Sequence, residues 1–205
     1  MDGRLITEMR TAAVSAVAFA ALAPLHFNTP PGSFGIIGSG VQARAHVRAL
    51  RHVWPSMREI RIWSPTRAHA EKCAAEVGGR AVAIEEAAAA NVVLTATLSA
   101  KPVLEGRRLK PDALVLAVGG IGPANRELDD EVMRTCTLVA ESRDGVGRES
   151  GDVVGSGATI EAEIGEILAR PEAAAIPKSG RVLFKSVGMA IEDLTAARLV
   201  AKSSS

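Results

Sequence analysis

A glycine-rich turn between a short apolar run and a helical pattern is the feature that most restricts how this chain can fold. Gly38, Gly40 and Ala43 occupy the small positions of a G-x-G-x-x-G/A pattern directly after the apolar residues 34–37. Gly38 permits a tight turn, Gly40 lets a pyrophosphate approach the backbone, and Ala43 lets the following helix pack closely on its strand. The pattern favours a dinucleotide-binding turn, and the alternative is an ordinary strand-to-helix connection.

The spacing of apolar residues and chain breakers predicts an α/β fold. Residues 1–7 are predicted to form a turn, and residues 24–32 a linker rich in proline and glycine. Predicted helices cover residues 8–22, 41–52, 66–77, 85–90, 127–134 and 189–200. Predicted strands cover residues 34–37, 58–63, 81–84, 91–97, 113–118 and 137–140. Strands that alternate with helices are typical of a Rossmann-type doubly wound parallel sheet, which these six strands would complete.

Composition excludes several classes of function. The 24 Lys and Arg residues are scattered and balanced by 23 Asp and Glu residues, which argues against a nucleic-acid partner or a membrane surface. We expect no apolar run long enough to span a bilayer. Two cysteines without C-x-x-C spacing favour a reducing, cytoplasmic location, and the four histidines show no metal-ligand spacing. The chain contains no tyrosine, which excludes the Tyr-Lys acid pair of short-chain dehydrogenases.

The end of the second predicted strand bears on the choice of cofactor. An NAD site normally places a carboxylate there to accept hydrogen bonds from the ribose 2′-OH, but residues 63–67 contain none. Ser64 and Thr66 can donate hydroxyl hydrogen bonds, and Arg67 can pair with a phosphate. The segment favours a 2′-phosphate site and therefore NADPH. The alternative is a helix capped by Thr66 with Arg67 on its surface.

Several segments, in one order along the chain, are similar to the ornithine cyclodeaminase and mu-crystallin family. These segments are Arg10-Thr-Ala-Ala, the Gly-Ser-Gly-Val-Gln-Ala turn, Arg61-Ile-Trp, Ala117-Val-Gly, Arg126-Glu-Leu-Asp-Asp-Glu, Glu149-Ser-Gly-Asp-Val, and Phe184-Lys-Ser-Val-Gly-Met-Ala with Glu192-Asp193. The mu-crystallin branch resembles the chain most. The resemblance implies NADPH-dependent reduction of cyclic ketimines, with thyroid-hormone binding or cyclodeaminase-type lyase activity as alternatives.

The resemblance also assigns roles to individual positions. Arg10 matches the arginine that pairs with the substrate carboxylate, and a planar bidentate donor suits that task. No catalytic acid or base is assigned. Expected cofactor contacts come from Gly38, Gly40, Val41, Gln42, Ser64, Thr66, Arg67, Thr97, Val118, Gly119, Ser186 and Gly188.

The chain departs from the family pattern at two positions. Relatives usually carry Asn-Arg-Thr where this chain has Ser-Pro-Thr, so Pro65 replaces an arginine near the expected 2′-phosphate. Cyclodeaminases carry an aspartate directly after the glycine pair, where this chain has Ile121. Because Ile121 cannot accept a proton, the second departure argues against deamination.

Relatives also carry a further segment ahead of the residues that match this chain. We therefore expect residues 1–27 to be a remnant of a substrate and dimerisation domain, residues 28–149 to be the NADP(H)-binding domain, and residues 150–205 to return to the first domain. The lysine that relatives use near the substrate lies in that preceding segment, and Lys185 is not an obvious substitute. We expect apolar faces left at both chain ends to promote a homodimer or other self-association.

Overall fold

The computed structural model describes residues 3–203, so Met1 and Asp2 of the predicted N-terminal turn and Ser204 and Ser205 lie outside the described residues. The α-helices are α1 (Gly3–His26), α2 (Val41–Val53), α3 (Arg67–Val77), α4 (Ile84–Ala88), α5 (Asp130–Thr135), α6 (Arg143–Glu149), α7 (Gly151–Ser156), α8 (Ile164–Ala169) and α9 (Ala190–Ser203). The strands are β1 (Ser33–Ile37), β2 (Glu59–Trp63), β3 (Arg80–Ala81), β4 (Val92–Thr95), β5 (Leu114–Ala117), β6 (Cys136–Ala140), β7 (Ala162–Glu163) and β8 (Arg181–Lys185).

The strands form one parallel sheet in the order β3-β2-β1-β4-β5-β8-β6-β7. Alternate strand residues point to opposite faces, so that Ile36 and Leu94 join one apolar cluster and Ile37 and Val93 join the other. Both faces of the sheet are therefore buried under helices, as expected for a doubly wound α/β fold. The predicted fold class is confirmed.

The prediction of six strands was wrong, because β7 and β8 belong to the same sheet. β8 lies between β5 and β6, and its register pairs Phe184 with Leu116 and with Val139. The continuous apolar run Val182-Leu183-Phe184 is typical of a central parallel strand and is fully buried. The C-terminal segment therefore returns through the centre of the sheet before α9 begins, and the proposed division into domains stays a prediction.

Helix α1 is longer at both ends than the sequence predicted. It includes the predicted turn from Gly3 onward and runs through Pro24 to His26. Pro24 lies in the last turn, where it costs the helix a single hydrogen bond. The two ring nitrogens of His26 contact the carbonyl oxygens of Pro177 at 2.7 Å and Asp112 at 2.9 Å. These contacts connect the last turn of α1 to the loops that precede β8 and β5.

Helix α1 is also long and apolar enough to cross a membrane by length and composition, with a mean hydropathy of 1.4 in an 18-residue window. The sequence-based expectation that no such run exists was therefore wrong. A core helix of a soluble protein has the same composition, and α1 packs along α2, with Phe19 stacked on Trp54 at a centroid distance of 4.8 Å.

Apolar side chains remain exposed on both terminal helices. The exposed set on α1 and α9 is Leu5, Met9, Val17, Ile191, Leu194, Leu199 and Val200. The predicted self-association stays a prediction. Cys73 and Cys136 are free and buried, as expected for cysteines that act as small core residues.

A buried histidine fixes α1 against α2. His46 Nδ1 lies 2.8 Å from the Gln42 carbonyl oxygen, which can only accept, so this nitrogen carries the proton. The neutral ring can then accept at Nε2 from the Ser15 hydroxyl, 2.9 Å away. Burial lowers the pKa of His46 to about 4. The neutral form is therefore part of the folded state.

This depressed pKa makes folding stability depend on pH. Between the pKa of ~6.5 in the unfolded chain and the lower pKa in the folded protein, the unfolded chain binds one proton more, so stability falls as pH falls through this range. We expect the free energy of unfolding in urea to drop by roughly 2 kcal/mol between about pH 7.5 and about pH 5 through His46 alone. His46→Gln should remove this contribution, whereas His52→Gln, at an exposed position on the same helix, should retain it. Equal drops in the two variants would contradict the assignment.

Candidate cofactor and substrate site

A cleft of about 350 Å³ opens at the carboxyl ends of the central strands. Its walls come from α1, the β1–α2 turn, the segments that follow β4 and β5, and the turn after β8. The predicted site residues that line it are Arg10, Gly40, Val41, Gln42, Thr97, Val118, Gly119, Ser186 and Gly188. This is the edge where open α/β sheets bind their ligands.

The glycine turn has the geometry that a nucleotide pyrophosphate requires. Gly38 has φ of 122°, and a Cβ there would lie 2.4 Å from the Ala96 carbonyl oxygen, so only glycine fits. A Cβ at Gly40 would meet no atom within 4 Å, which leaves open space beside the backbone. Gly40 is also the N-cap of α2 and supplies no side-chain hydrogen bond to its first turn. The N–H groups of that turn are therefore available to an anion, and the turn fits a dinucleotide.

Glu127 holds together the two segments that form the floor of the cleft. Its carboxylate accepts hydrogen bonds from the Thr95 hydroxyl at 2.9 Å, the Thr97 hydroxyl at 2.6 Å and the Gly119 N–H at 2.8 Å. A Cβ on Gly119 would lie 2.4 Å from the Glu127 carboxyl carbon, so the carboxylate fills the space that a side chain would need. Thr97 and Gly119 are thus positioned by one residue.

Two more buried charges, Lys185 and Asp152, hold the backbone at Gly119 and Glu127. Lys185 is fully buried, and its Nζ donates to the Gly119 carbonyl oxygen and lies 3.0 Å from Asp152 Oδ2. Asp152 Oδ1 accepts from the backbone N–H groups of Glu127 at 2.8 Å and Leu128 at 2.9 Å. Burial raises the pKa of Glu127, and the Lys185 charge and the threonine hydrogen bonds act in the opposite direction. Lys185 therefore anchors backbone and does not reach the cleft.

Arg10 enters the cleft from α1 and is held by the C-terminal helix. Its Nη1 lies 3.1 Å from Glu192 Oε2, and its Nε lies 3.1 Å from Asp193 Oδ1. Within residues 3–203, these are the ion pairs of its guanidinium, and Nη2 makes no hydrogen bond. A carboxylate in the cleft can therefore reach an unused donor of Arg10.

The residues predicted to contact a 2′-phosphate lie outside this cleft, at the start of α3. Thr66 is the N-cap of α3, but its side chain accepts no capping hydrogen bond. Arg67 pairs with Glu71 at 2.8 Å, and both side chains are more than half exposed, at 63% and 56%. An exposed pair of this kind contributes ~0.3–0.5 kcal/mol, so Arg67 can exchange it for a phosphate. The cofactor roles of Ser64, Thr66 and Arg67 stay predictions.

The roles of Glu127 and Asp152 were not predicted from the sequence. Glu127 was placed at the start of the predicted helix 127–134, but α5 begins at Asp130, and its N-cap Asp129 accepts from the Val132 N–H at 2.8 Å. The helix dipole therefore explains Asp130 and Glu131 only. A usable signal was Asp129, a residue type favoured at N-caps, because a helix that begins after it leaves Glu127 outside.

The chain was compared with known proteins. The sequence model of the ornithine cyclodeaminase/mu-crystallin family matches residues 1–205. Ketimine reductase mu-crystallin of Mus musculus is 45% identical over 206 residues, which is 98% of this chain. The chain spans 63% of the length of that relative.

Two solved structures extend the likeness to the fold. The Delta(1)-pyrroline-2-carboxylate reductase of Thermococcus litoralis, in complex with NADH and L-proline, superposes with a TM-score of 0.89 and 32% identity, over 98% of this chain and 66% of that one. An archaeal alanine dehydrogenase dimer with bound NAD superposes with a TM-score of 0.90 and 25% identity, over 98% and 65%.

The buried charges beneath the cleft lead to a test of stability. Lys185→Met leaves the Asp152 carboxylate buried without its cation, and we expect the free energy of unfolding to fall by ~3–5 kcal/mol. The double variant Lys185→Met/Asp152→Asn should recover part of this loss, because asparagine keeps an acceptor for the two backbone N–H groups without the charge. Chemical denaturation of the three proteins measures the coupling. A single-variant loss below ~1 kcal/mol would show that the pair is dispensable.

Proposed function

Because the chain belongs to the ornithine cyclodeaminase/mu-crystallin family, we propose that it carries out NADPH-dependent reduction of a cyclic ketimine that bears a carboxylate. The observation that carries this proposal is the single cleft that joins the glycine turn at Gly40 to the guanidinium of Arg10. One end of the cleft suits a dinucleotide, and the other suits a carboxylate. The relatives named as ketimine and pyrroline-2-carboxylate reductases support this class of substrate.

Different residues of the cleft bind the substrate, position the nicotinamide and exclude water. Arg10 binds the substrate carboxylate and thereby fixes the C=N carbon relative to the floor at Thr97 and Gly119, which positions the nicotinamide. Val118 and Val187 give the floor an apolar lining, which keeps water away from the reacting carbon. NADPH, when bound, supplies the hydride. An imine that enters protonated needs no further proton, because its nitrogen takes up the electron pair of the C=N bond.

Ile121 favours reduction over deamination at this site. It lines the cleft, and its side chain is 51% exposed. An isoleucine cannot accept a proton from an attacking water, which a lyase of the cyclodeaminase type requires at this position. Ammonia release from ornithine is therefore not part of the proposed activity.

The proposal is tested by NADPH oxidation with Δ1-piperideine-2-carboxylate as substrate. Arg10→Lys keeps the charge but loses the planar pair of donors, and we expect kcat/KM to fall roughly ten- to hundredfold, the equivalent of a lost charge-assisted hydrogen bond of ~1.5–3 kcal/mol. Arg148→Lys, at an exposed pair with Asp144, is the matched control and should not change kcat/KM. NADPH binding without substrate-dependent oxidation would reject the reductase assignment.

The preference for NADPH rests on the residues that follow β2. The two neighbours described above were solved with NADH and NAD, so their cofactors do not argue for the phosphorylated form. In this chain residues 63–67 carry no carboxylate, and the hydroxyl of Thr66 is free of its capping role. A 2′-phosphate would meet hydroxyl and guanidinium donors there and no acid that repels it.

We expect NADPH to bind more tightly than NADH, and Arg67→Ala to remove much of the difference. The loss of one charge-assisted hydrogen bond of ~1.5–3 kcal/mol lowers NADPH affinity roughly ten- to hundredfold and leaves NADH affinity unchanged. Arg148→Ala removes an exposed arginine from an equivalent i,i+4 pair and is the control. Titration of each protein with both cofactors measures the ratio. Equal affinities in the unmutated protein would reject a 2′-phosphate site.

A further inference from the structure

Two carboxyl groups pair with the guanidinium of Arg10, and a third lies behind one of them. Glu192 and Asp193 pair with it from α9, and their side chains are 11% and 46% exposed. Glu141, the residue after β6, is only 4% exposed and lies close enough to Glu192 to act on its carboxyl group. One cation therefore faces more carboxyl groups than its charge can balance, in a partly buried place where charge repulsion is poorly screened.

These groups form a closed ring around the turn that follows β8. Glu141 accepts from the Ser186 hydroxyl at 2.8 Å and from the Gly188 N–H at 2.7 Å. A Cβ on Gly188 would lie 2.5 Å from Arg10 Nη1, so the guanidinium rests directly on this glycine. Arg10 then pairs with Glu192, and Glu192 returns to Glu141. A change in one carboxyl group is thus transmitted to the position of Arg10.

Of the groups in this ring, Glu192 is the one whose pKa is raised. Burial, together with the hydrogen bond and negative charge of Glu141, raises the pKa of Glu192 to about 8, although Arg10 lowers it. The charged groups around Glu192 are Glu141 from the end of β6, Arg10 from α1 and Asp193 from its own helix, which shares Arg10. Glu192 can donate that proton to Glu141 and still accept from Arg10 Nη1.

We propose that Glu192 is a positioning residue for Arg10, and that a substrate carboxylate binds to Arg10 only while the pair of Glu141 and Glu192 retains a proton. This inference rests on the proposed function, because it takes Arg10 as the partner of the substrate carboxylate. With the proton in place, the cluster formed by Arg10, Glu141, Glu192 and Asp193 carries two ionised carboxylates, and Nη2 of Arg10 is available to the ligand. Without the proton, the cluster carries three ionised carboxylates, and a fourth is repelled.

The affinity for a carboxylate ligand should therefore fall as pH rises. The probe is pyrrole-2-carboxylate, a planar carboxylate that hydride does not reduce, titrated by calorimetry into the chain saturated with NADPH. We expect Kd to be constant up to about pH 8 and to rise by up to about tenfold per pH unit above it. Glu192→Gln mimics the protonated acid and should give a flat profile. Asp193→Asn removes the other carboxylate from the same guanidinium and should keep the rise.

A second measurement on the unmutated protein covers the case in which Glu192→Gln does not fold. Titration near pH 8 in buffers with different ionisation enthalpies should reveal proton uptake on binding, because the bound carboxylate favours the protonated pair. A pH-independent Kd, the absence of proton uptake, or a Glu192→Gln profile that still rises would overturn the inference. So would the absence of carboxylate binding at every pH.

The outcomes separate this inference from the function on which it rests. Ketimine-dependent NADPH oxidation together with a pH-independent Kd would leave the proposed function standing and reject the role of Glu192. A Kd that depends on pH as described, with no ketimine reduction, would reject the reductase and leave Glu192 as the residue that controls carboxylate binding at Arg10.

Discussion

The floor of the cleft depends on one buried carboxylate. The segments after β4 and β5 leave the sheet side by side, and the first residue of each still donates a backbone hydrogen bond to the neighbouring strand. Beyond these bonds Glu127 joins them, by accepting from the Thr95 and Thr97 hydroxyls on one side and from the Gly119 N–H on the other. An ionised carboxylate can only accept hydrogen bonds, and the hydroxyls and the N–H group can donate them, so every one of these groups has a suitable partner. Thr97 and Gly119 keep their positions in the cleft because Glu127 lies beneath them.

Such a carboxylate is costly to bury, and the surrounding residues offset the cost. Lys185 lies at the end of β8 inside the sheet, and its positive charge favours the ionised form of Glu127. Asp152 binds Lys185 on one oxygen and the backbone of residues 127 and 128 on the other. Removal of Lys185 would leave two buried carboxylates without their cation, and removal of Asp152 would leave the Lys185 ammonium without its ion pair. The passage of the chain through the sheet at β8 therefore brings Lys185 beneath the cleft before α9 begins.

The sequence predicted the parts of the site that depend on local backbone geometry. Gly38 and Gly40 were recognisable because a turn that requires positive φ and close approach can be inferred from residue type alone. The same holds for the order of strands and helices from β1 to β6. The family resemblance contributed Arg10, Ser186 and Gly188, which line the cleft with the glycine turn.

The residues that the sequence did not explain act through partners distant in the chain. Glu127 and Asp152 are separated by 25 positions and meet only in the folded sheet. The sequence alone does not distinguish an acidic residue that binds distant backbone N–H groups from one that lies at the start of a helix. Likewise, β8 was not predicted as a strand, and its place between β5 and β6 follows from the packing of the whole sheet.

The two ends of the cleft consequently depend on the fold in different ways. The glycine turn belongs to a single β1–α2–β2 unit, whose contacts lie close together in the chain. Arg10, in contrast, is fixed by residues 182 and 183 positions away, which reach it only after β8 has entered the sheet and α9 has docked on α1. A loosening of α9 would therefore release the guanidinium while the dinucleotide turn stayed intact. The affinity for carboxylate can then change more than the binding of the pyrophosphate, because the glycine turn does not depend on α9.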